Sequence, residues 1–176
     1  MRWLTISGSL RKTSTNSAAL DAFARLAPPA VEIVAWRDLG VLPAFNPDDD
    51  REGAPPPASV SALRAAVADA AALVIAAPEY AHGFPGALKN ALDWLVSSDC
   101  FPGKPVALIN TAPRAFHAQS ALREVLATMA ARLTPEAFAI LPLTGRVVTT
   151  EDILADSQLA AVLRAAGEAL YQALQV

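Results

Sequence analysis

The sequence predicts an α/β domain of three layers: a five-stranded parallel sheet in the order 2-1-3-4-5, with helices on both faces. Three observations lead there. Short apolar runs alternate with longer stretches of helical periodicity, the pattern of parallel crossover units. The runs Leu73–Ala77 and Val106–Ile109 are continuous rather than alternating, as strands are when both their faces are covered. Finally, the first run turns through Gly8 and a string of hydroxyl residues directly into a helical stretch, at the place where such sheets bind ligands.

The elements follow in order. Trp3-Leu4-Thr5-Ile6 reads as the first strand, Ser17–Ala24 as the first helix and Val31–Trp36 as the second strand. From Leu42 to Pro57, Asp48-Asp49-Asp50-Arg51 and Pro55-Pro56-Pro57 block helix and ladder alike. An exposed, partly mobile loop is expected there, either a linker or the cover of a site. Ser59 is placed to cap a helix running to about Ala71, with Val60, Leu63, Val67 and Ala70 on one face. Leu73–Ala77 is the third strand, followed by a turn through Pro78–Gly83. Pro85 then opens a helix containing Leu88, Ala91, Leu92 and Leu95. Lys104–Ile109 is the fourth strand, Asn110–Phe116 a loop, and about Ala118–Arg132 a helix. A weaker strand over Ala137–Leu143 and an amphipathic helix, roughly Ile153–Leu174, complete one predicted domain over 1–176.

Composition narrows the function classes. Apolar residues make up 53% of the 176 residues and charged residues 18%, which argues for an ordered domain and against disorder. A net charge of -3 offers no electrostatic case for nucleic acid, and it is too mild for a charge-steered acidic carrier. The single cysteine, Cys100, excludes an intrachain disulfide and fits a reducing compartment. No apolar run reaches bilayer length and the N-terminus lacks a signal-peptide core, so a cytoplasmic protein is expected. His82 and His117, the only histidines, have no partners at metal-like spacing, so no metal site is expected.

The segment from Ile6 to Asn16 carries the chemistry. A strand that turns through glycine into a helix presents unpaired N–H groups and a positive dipole end, which suit a phosphate. Ser9, Ser14 and Asn16 add neutral donors and Arg11 adds charge. Neither a Walker loop nor a dinucleotide glycine fingerprint is present. In the predicted topology this loop and Pro78-Glu79-Tyr80-Ala81-His82-Gly83 meet over one crevice.

Gly8-Ser9-Leu10-Arg11-Lys12-Thr13-Ser14-Thr15-Asn16 resembles the phosphate loop of the NADPH-dependent FMN reductase family. Pro78-Glu79-Tyr80, followed by Pro85-Gly86-Ala87-Leu88-Lys89-Asn90-Ala91-Leu92-Asp93-Trp94, resembles that family's second signature. The resemblance implies a flavodoxin-like fold, noncovalent FMN, NADPH or NADH as co-substrate, and a homodimer or homotetramer. It further implies reduction of a flavin, quinone or similar small-molecule acceptor, with no nucleic-acid or membrane partner. Ser9, Arg11, Ser14, Thr15 and Asn16 would hold the FMN phosphate. Pro78, Glu79, Tyr80, Ala81, His82 and Gly83 would lie along the ring and ribityl chain, and Thr111, Arg114 and His82 would face the substrate.

Two positions depart from the family's habit. Ala81 stands where Asn is common, and the loop from Asn110 to His117 has no glycine where glycine and serine are usual. Each residue also has a plainer reading. Ser14 or Thr15 alone would explain a helix start, Arg114 can be a solvated arginine, Tyr80 can be core, and Trp94 can be core or subunit interface. Glu79 is expected to tie loops together by hydrogen bonds rather than act as a base. No nucleophile–histidine arrangement stands out, and a flavin enzyme needs none, because the cofactor carries the chemistry. Two rivals keep the same fold: a flavodoxin-type electron carrier, and a flavin-free binding or regulatory protein.

Overall fold

The computed structural model describes every residue except Glu52, Ala54, Ala115, Arg146 and Val176. Strands β1 (Arg2–Ser7), β2 (Glu32–Trp36), β3 (Ala72–Ala76) and β4 (Pro105–Asn110) pair in parallel, and β4 also pairs with β5 (Arg132–Leu133) and β6 (Ala139–Ile140). The order β2-β1-β3-β4-β5 is the predicted, flavodoxin-like one.

Successive strand residues alternate between two cores, which is why the central runs are apolar throughout. Trp3, Val74, Ala107 and Ile109 face α1 (Thr15–Leu26), α5 (Thr150–Ala155) and α6 (Ser157–Ala173). Leu4, Ile6, Leu73, Ile75 and Leu108 face α2 (Ala58–Asp69), α3 (Gly86–Asp93) and α4 (Phe116–Thr128). Both helical layers run their loops to the carboxyl ends of β1, β3 and β4, where the site is built.

Four local expectations are corrected. The fifth strand is split: Pro135 has no N–H for a ladder, and a short 3-10 turn over Pro135–Ala137 separates β5 from β6. As a result Arg132, expected in a helix, lies in β5. The helix before it stops at Thr128 because Ala130 adopts a left-handed φ of 59°, letting Ala131 N–H reach back to Leu126 O at 2.9 Å. The closing helix is two helices, broken at Asp156, whose carboxylate accepts from Gln158 and Leu159 N–H and caps α6. Ser59 lies inside α2, whose N-cap is Pro57.

The loop from Leu42 to Pro57 is anchored rather than free. Phe45 N–H donates to Asn90 Oδ1 at 2.8 Å, and Asn90 Nδ2 and Trp94 Nε1 donate to Pro43 O at 2.9 and 2.8 Å. Trp94 is fully buried, edge-on to Phe45, so it belongs to the core. Further along, Asp50 accepts from Arg64 Nη2 at 2.9 Å and from the Ser97 hydroxyl. Burial raises the pKa of this carboxyl, but the Ser97 and Arg64 hydrogen bonds and the guanidinium charge outweigh it and hold the group below its ordinary range.

Candidate functional site

The loop after β1 is pressed against the end of β3. Gly8 N–H donates to Ala76 O at 2.8 Å, and a Cβ on Gly8 would stand 3.1 Å from Ala77 Cβ and 3.2 Å from Leu88 Cδ2. Only glycine permits that approach without displacing its neighbours. Beyond it the hydroxyls are organised by the backbone. Ser7 Oγ accepts from Ser9 N–H at 3.3 Å, Ser9 Oγ from Arg11 N–H at 3.4 Å, and Ser14 Oγ from Ser17 N–H at 3.3 Å. A serine that accepts in this way keeps its own proton to donate, so Ser9 and Ser14 are set up to face an anion. Arg11 and Lys12 are exposed and, among the described residues, enter no ion pair.

The loop after β3 closes as a two-residue hairpin. Tyr80 N–H donates to Gly83 O at 2.8 Å and Gly83 N–H to Tyr80 O at 2.9 Å, with Ala81 and His82 at φ 49° and 61° between them. Left-handed values at both central residues define a type I′ turn, for which Asn-Gly is the favoured pair. Tyr80 is 52% exposed and so is not core. It lines a cavity of about 400 Å³ together with Leu10, Arg11 and Gly86. The two loops therefore meet, as the topology requires. A larger cavity of about 640 Å³ lies on the β2 side of the same phosphate loop, bounded by Leu39–Val41 and Val147–Thr150. Ser9, Arg11 and Ser14 line it and Tyr80 does not; Arg11, which lines both, links it to the smaller cavity where Tyr80 stands.

The loop after β4 is laced to both others. Thr111 Oγ1 donates to Asn16 Oδ1 at 3.1 Å, and both residues are buried. Glu79 Oε2 accepts from Ala118 N–H at 2.9 Å, fastening the turn after β3 to the first turns of α4. The His82 ring stacks on His117 with centroids 4.2 Å apart, and Phe116 lies 3.9 Å from His117. Among the described residues no group of three or more His, Cys, Asp or Glu side chains is gathered to hold a metal ion.

Most of the sequence-predicted residues thus stand on three loops at the carboxyl ends of the strands. Arg11 and Tyr80 share one cavity, Asn16 and Thr111 share a hydrogen bond, and Thr15 opens α1. Pro78 precedes the hairpin, and Arg114 stands exposed on the far loop. Sequence reasoning missed Ser7 and Ser17, whose hydroxyls bond each other at 2.9 Å beneath the phosphate loop. The placement of Ser17 three residues after the cap Ser14 is a usable signal, because both then lie on one face of the first helical turn. The His82–His117–Phe116 stack joins distant loops and has no spacing signal.

The sequence model of the NADPH-dependent FMN reductase family matches residues 1–143. The chain belongs to the NADPH-dependent FMN reductase family. Within the family, it is 40% identical over 128 residues to an NAD(P)H-dependent FMN reductase of Pseudomonas aeruginosa, covering 70% of this chain and 68% of that protein. It is 36% identical over 107 residues to a quinone reductase of Escherichia coli, covering 60% of this chain and 56% of that one. The match thus spans little more than half of the quinone reductase. The fold is shared with FerB, a flavoenzyme NAD(P)H:(acceptor) oxidoreductase of Paracoccus denitrificans, at a TM-score of 0.74 and 24% identity over 97% of each chain. Among the described residues no helix of this family member is long and apolar enough to cross a membrane.

Proposed function

We propose that this protein binds FMN without a covalent link and uses NADPH or NADH to reduce a flavin, a quinone or a similar small acceptor. The observation that carries this reading is the cavity shared by Arg11 and Tyr80, in a chain of this family. The donor set suits a phosphate dianion: the N-terminus of α1, backbone-organised serine hydroxyls and the exposed Arg11 guanidinium. In this reading Ser9, Arg11, Ser14, Thr15 and Asn16 hold the phosphate. Asn16 uses its carbonyl oxygen to accept from Thr111, so its amide N–H₂ is the end left for the phosphate.

Tyr80 supplies an aromatic wall for a flat ring, with Pro78, Ala81, His82 and Gly83 beside it. Glu79 acts by holding the turn, since its carboxylate is engaged by Ala118 N–H. The chemistry that bound FMN supplies is hydride acceptance and donation. The chain's own part is to bind and orient. His82 and Arg114 face the acceptor, while Thr111, expected there too, is buried and donates to Asn16, so it holds the phosphate loop instead; stacking on His117 keeps the His82 ring positioned to donate to a carbonyl oxygen. The same proposal has 1–176 acting as one domain, in a cytoplasmic homodimer or homotetramer. The lone cysteine and the family's habit support it.

Purified protein should carry flavin absorbance in the blue, or gain it on adding FMN, and should then oxidise NADPH with benzoquinone as acceptor. Flavin binding with no nicotinamide oxidation would make it an electron carrier instead. Protein that stays colourless with FMN present would overturn the proposal.

A further inference from the structure

A separate cavity lies between α4 and the β4–β6 edge of the sheet. It encloses about 210 Å³ and shares no lining residue with the two cavities beside the phosphate loop. Gln119 lines it, is only 6% exposed, and has an amide oxygen that is buried with no hydrogen-bond partner. An unpartnered buried polar atom calls for an explanation, and a ligand is one. The space far exceeds what a single water needs; an apolar cavity of about 150 Å³ already takes benzene.

The rim is equally suggestive. Arg123 lies with its guanidinium 4.9 Å from the centroid of the Phe138 ring and, among the described residues, enters no ion pair. A guanidinium held over a ring by its charge keeps N–H donors for a carboxylate. Phe116 and Ile140, which also line the cavity, are left 60% and 58% exposed. Gln119 and Arg123 are four residues apart on α4, so their positions are offset by about 6 Å along its axis. Both side chains therefore leave the same face of α4, one turn apart, and border the same cavity.

We propose that this cavity is a second binding site, which takes a compact aromatic carboxylate bearing a hydroxyl. The hydroxyl meets the Gln119 amide, the ring lies between Phe116 and Ile140, and the carboxylate meets Arg123. A phenol both donates and accepts, so it satisfies either end of the amide.

The test is calorimetric titration of the intact protein with 4-hydroxybenzoate, with and without saturating FMN. Saturable binding at or below millimolar concentration is expected, with an affinity that FMN leaves unchanged. Gln119→Leu and Arg123→Ala should each weaken it by roughly fivefold or more. Gln119→Leu should melt no lower than the parent, because it replaces an unpartnered amide with an apolar side chain. Benzoate, lacking the hydroxyl, should bind more weakly and be insensitive to Gln119→Leu. No saturable binding, displacement by FMN, or unchanged affinity in both variants would each overturn the proposal. A chain that took up no FMN would still leave the titrations with the variants decisive.

Discussion

Substituting Ala81 tests whether the hairpin after β3 is under backbone strain. Ala81 at φ 49° and His82 at φ 61° are consecutive side-chain-bearing residues in the left-handed region. Left-handed helical geometry costs such a residue about 1–2 kcal/mol. Glycine removes that cost, while its greater freedom in the unfolded chain takes back about 0.5–1 kcal/mol. Ala81→Gly should therefore stabilise the protein by about 0.5–1 kcal/mol. Ala81→Asn should act in the same direction, since Asn tolerates the region better than Ala. In a chain of 176 residues 1 kcal/mol moves the Tm by roughly 2–4 °C, so a rise of about 1–4 °C is expected. Circular dichroism melting of flavin-free protein reads it without a contribution from bound ligand. The control is Ala65→Gly, on an exposed position within α2, where the same atoms are removed from helical backbone and about 0.5–1 kcal/mol should be lost. The two substitutions should have opposite signs. If both lower the Tm alike, the hairpin is not strained as described.

Asp50 anchors its loop as an anion with a lowered pKa, so its contribution to stability should be complete above about 3.9, the ordinary aspartate value, and fade as pH falls through it toward the folded-state value. Urea unfolding of the parent and of Asp50→Asn should therefore differ clearly at pH 6 and much less at pH 3; an equal gap at both would refute the ionic anchor. Arg11→Ala should weaken FMN binding by roughly tenfold, the lower end of the range for hydrogen bonds to charged groups because Arg11 is exposed. Fluorescence titration that finds the affinity unchanged would remove Arg11 from the site.

The sheet was legible because burial on both faces leaves an unbroken apolar signature at Leu73–Ala77 and Val106–Ile109, and the phosphate loop because its residue types are bound to one location by the topology. Helix ends were harder to read. Ala130 ends α4 by turning left-handed, yet alanine is the best helix former, so no propensity announces it. Asp156 reads as an ordinary polar residue of a long amphipathic stretch until its carboxylate is seen capping α6. The acidic, proline-rich loop looked free because its anchors, Asn90, Trp94 and Arg64, lie far away in sequence. Contacts of that range leave no trace in local composition.

The glycine-free loop after β4 takes on a different meaning once its partners are known. Glycine at such a position lets backbone approach a ligand, but it also leaves the loop conformationally free. Here side chains impose the order instead: Thr111 is bonded to Asn16, Ala118 N–H to Glu79, and His117 is stacked on His82. Each tie runs from the third loop to one of the two that carry the family's signatures. These ties come from the chain's own side chains, so less ordering remains to oppose association. The departure from the family's habit thus trades closeness of backbone approach for a crevice held in shape by its own side chains.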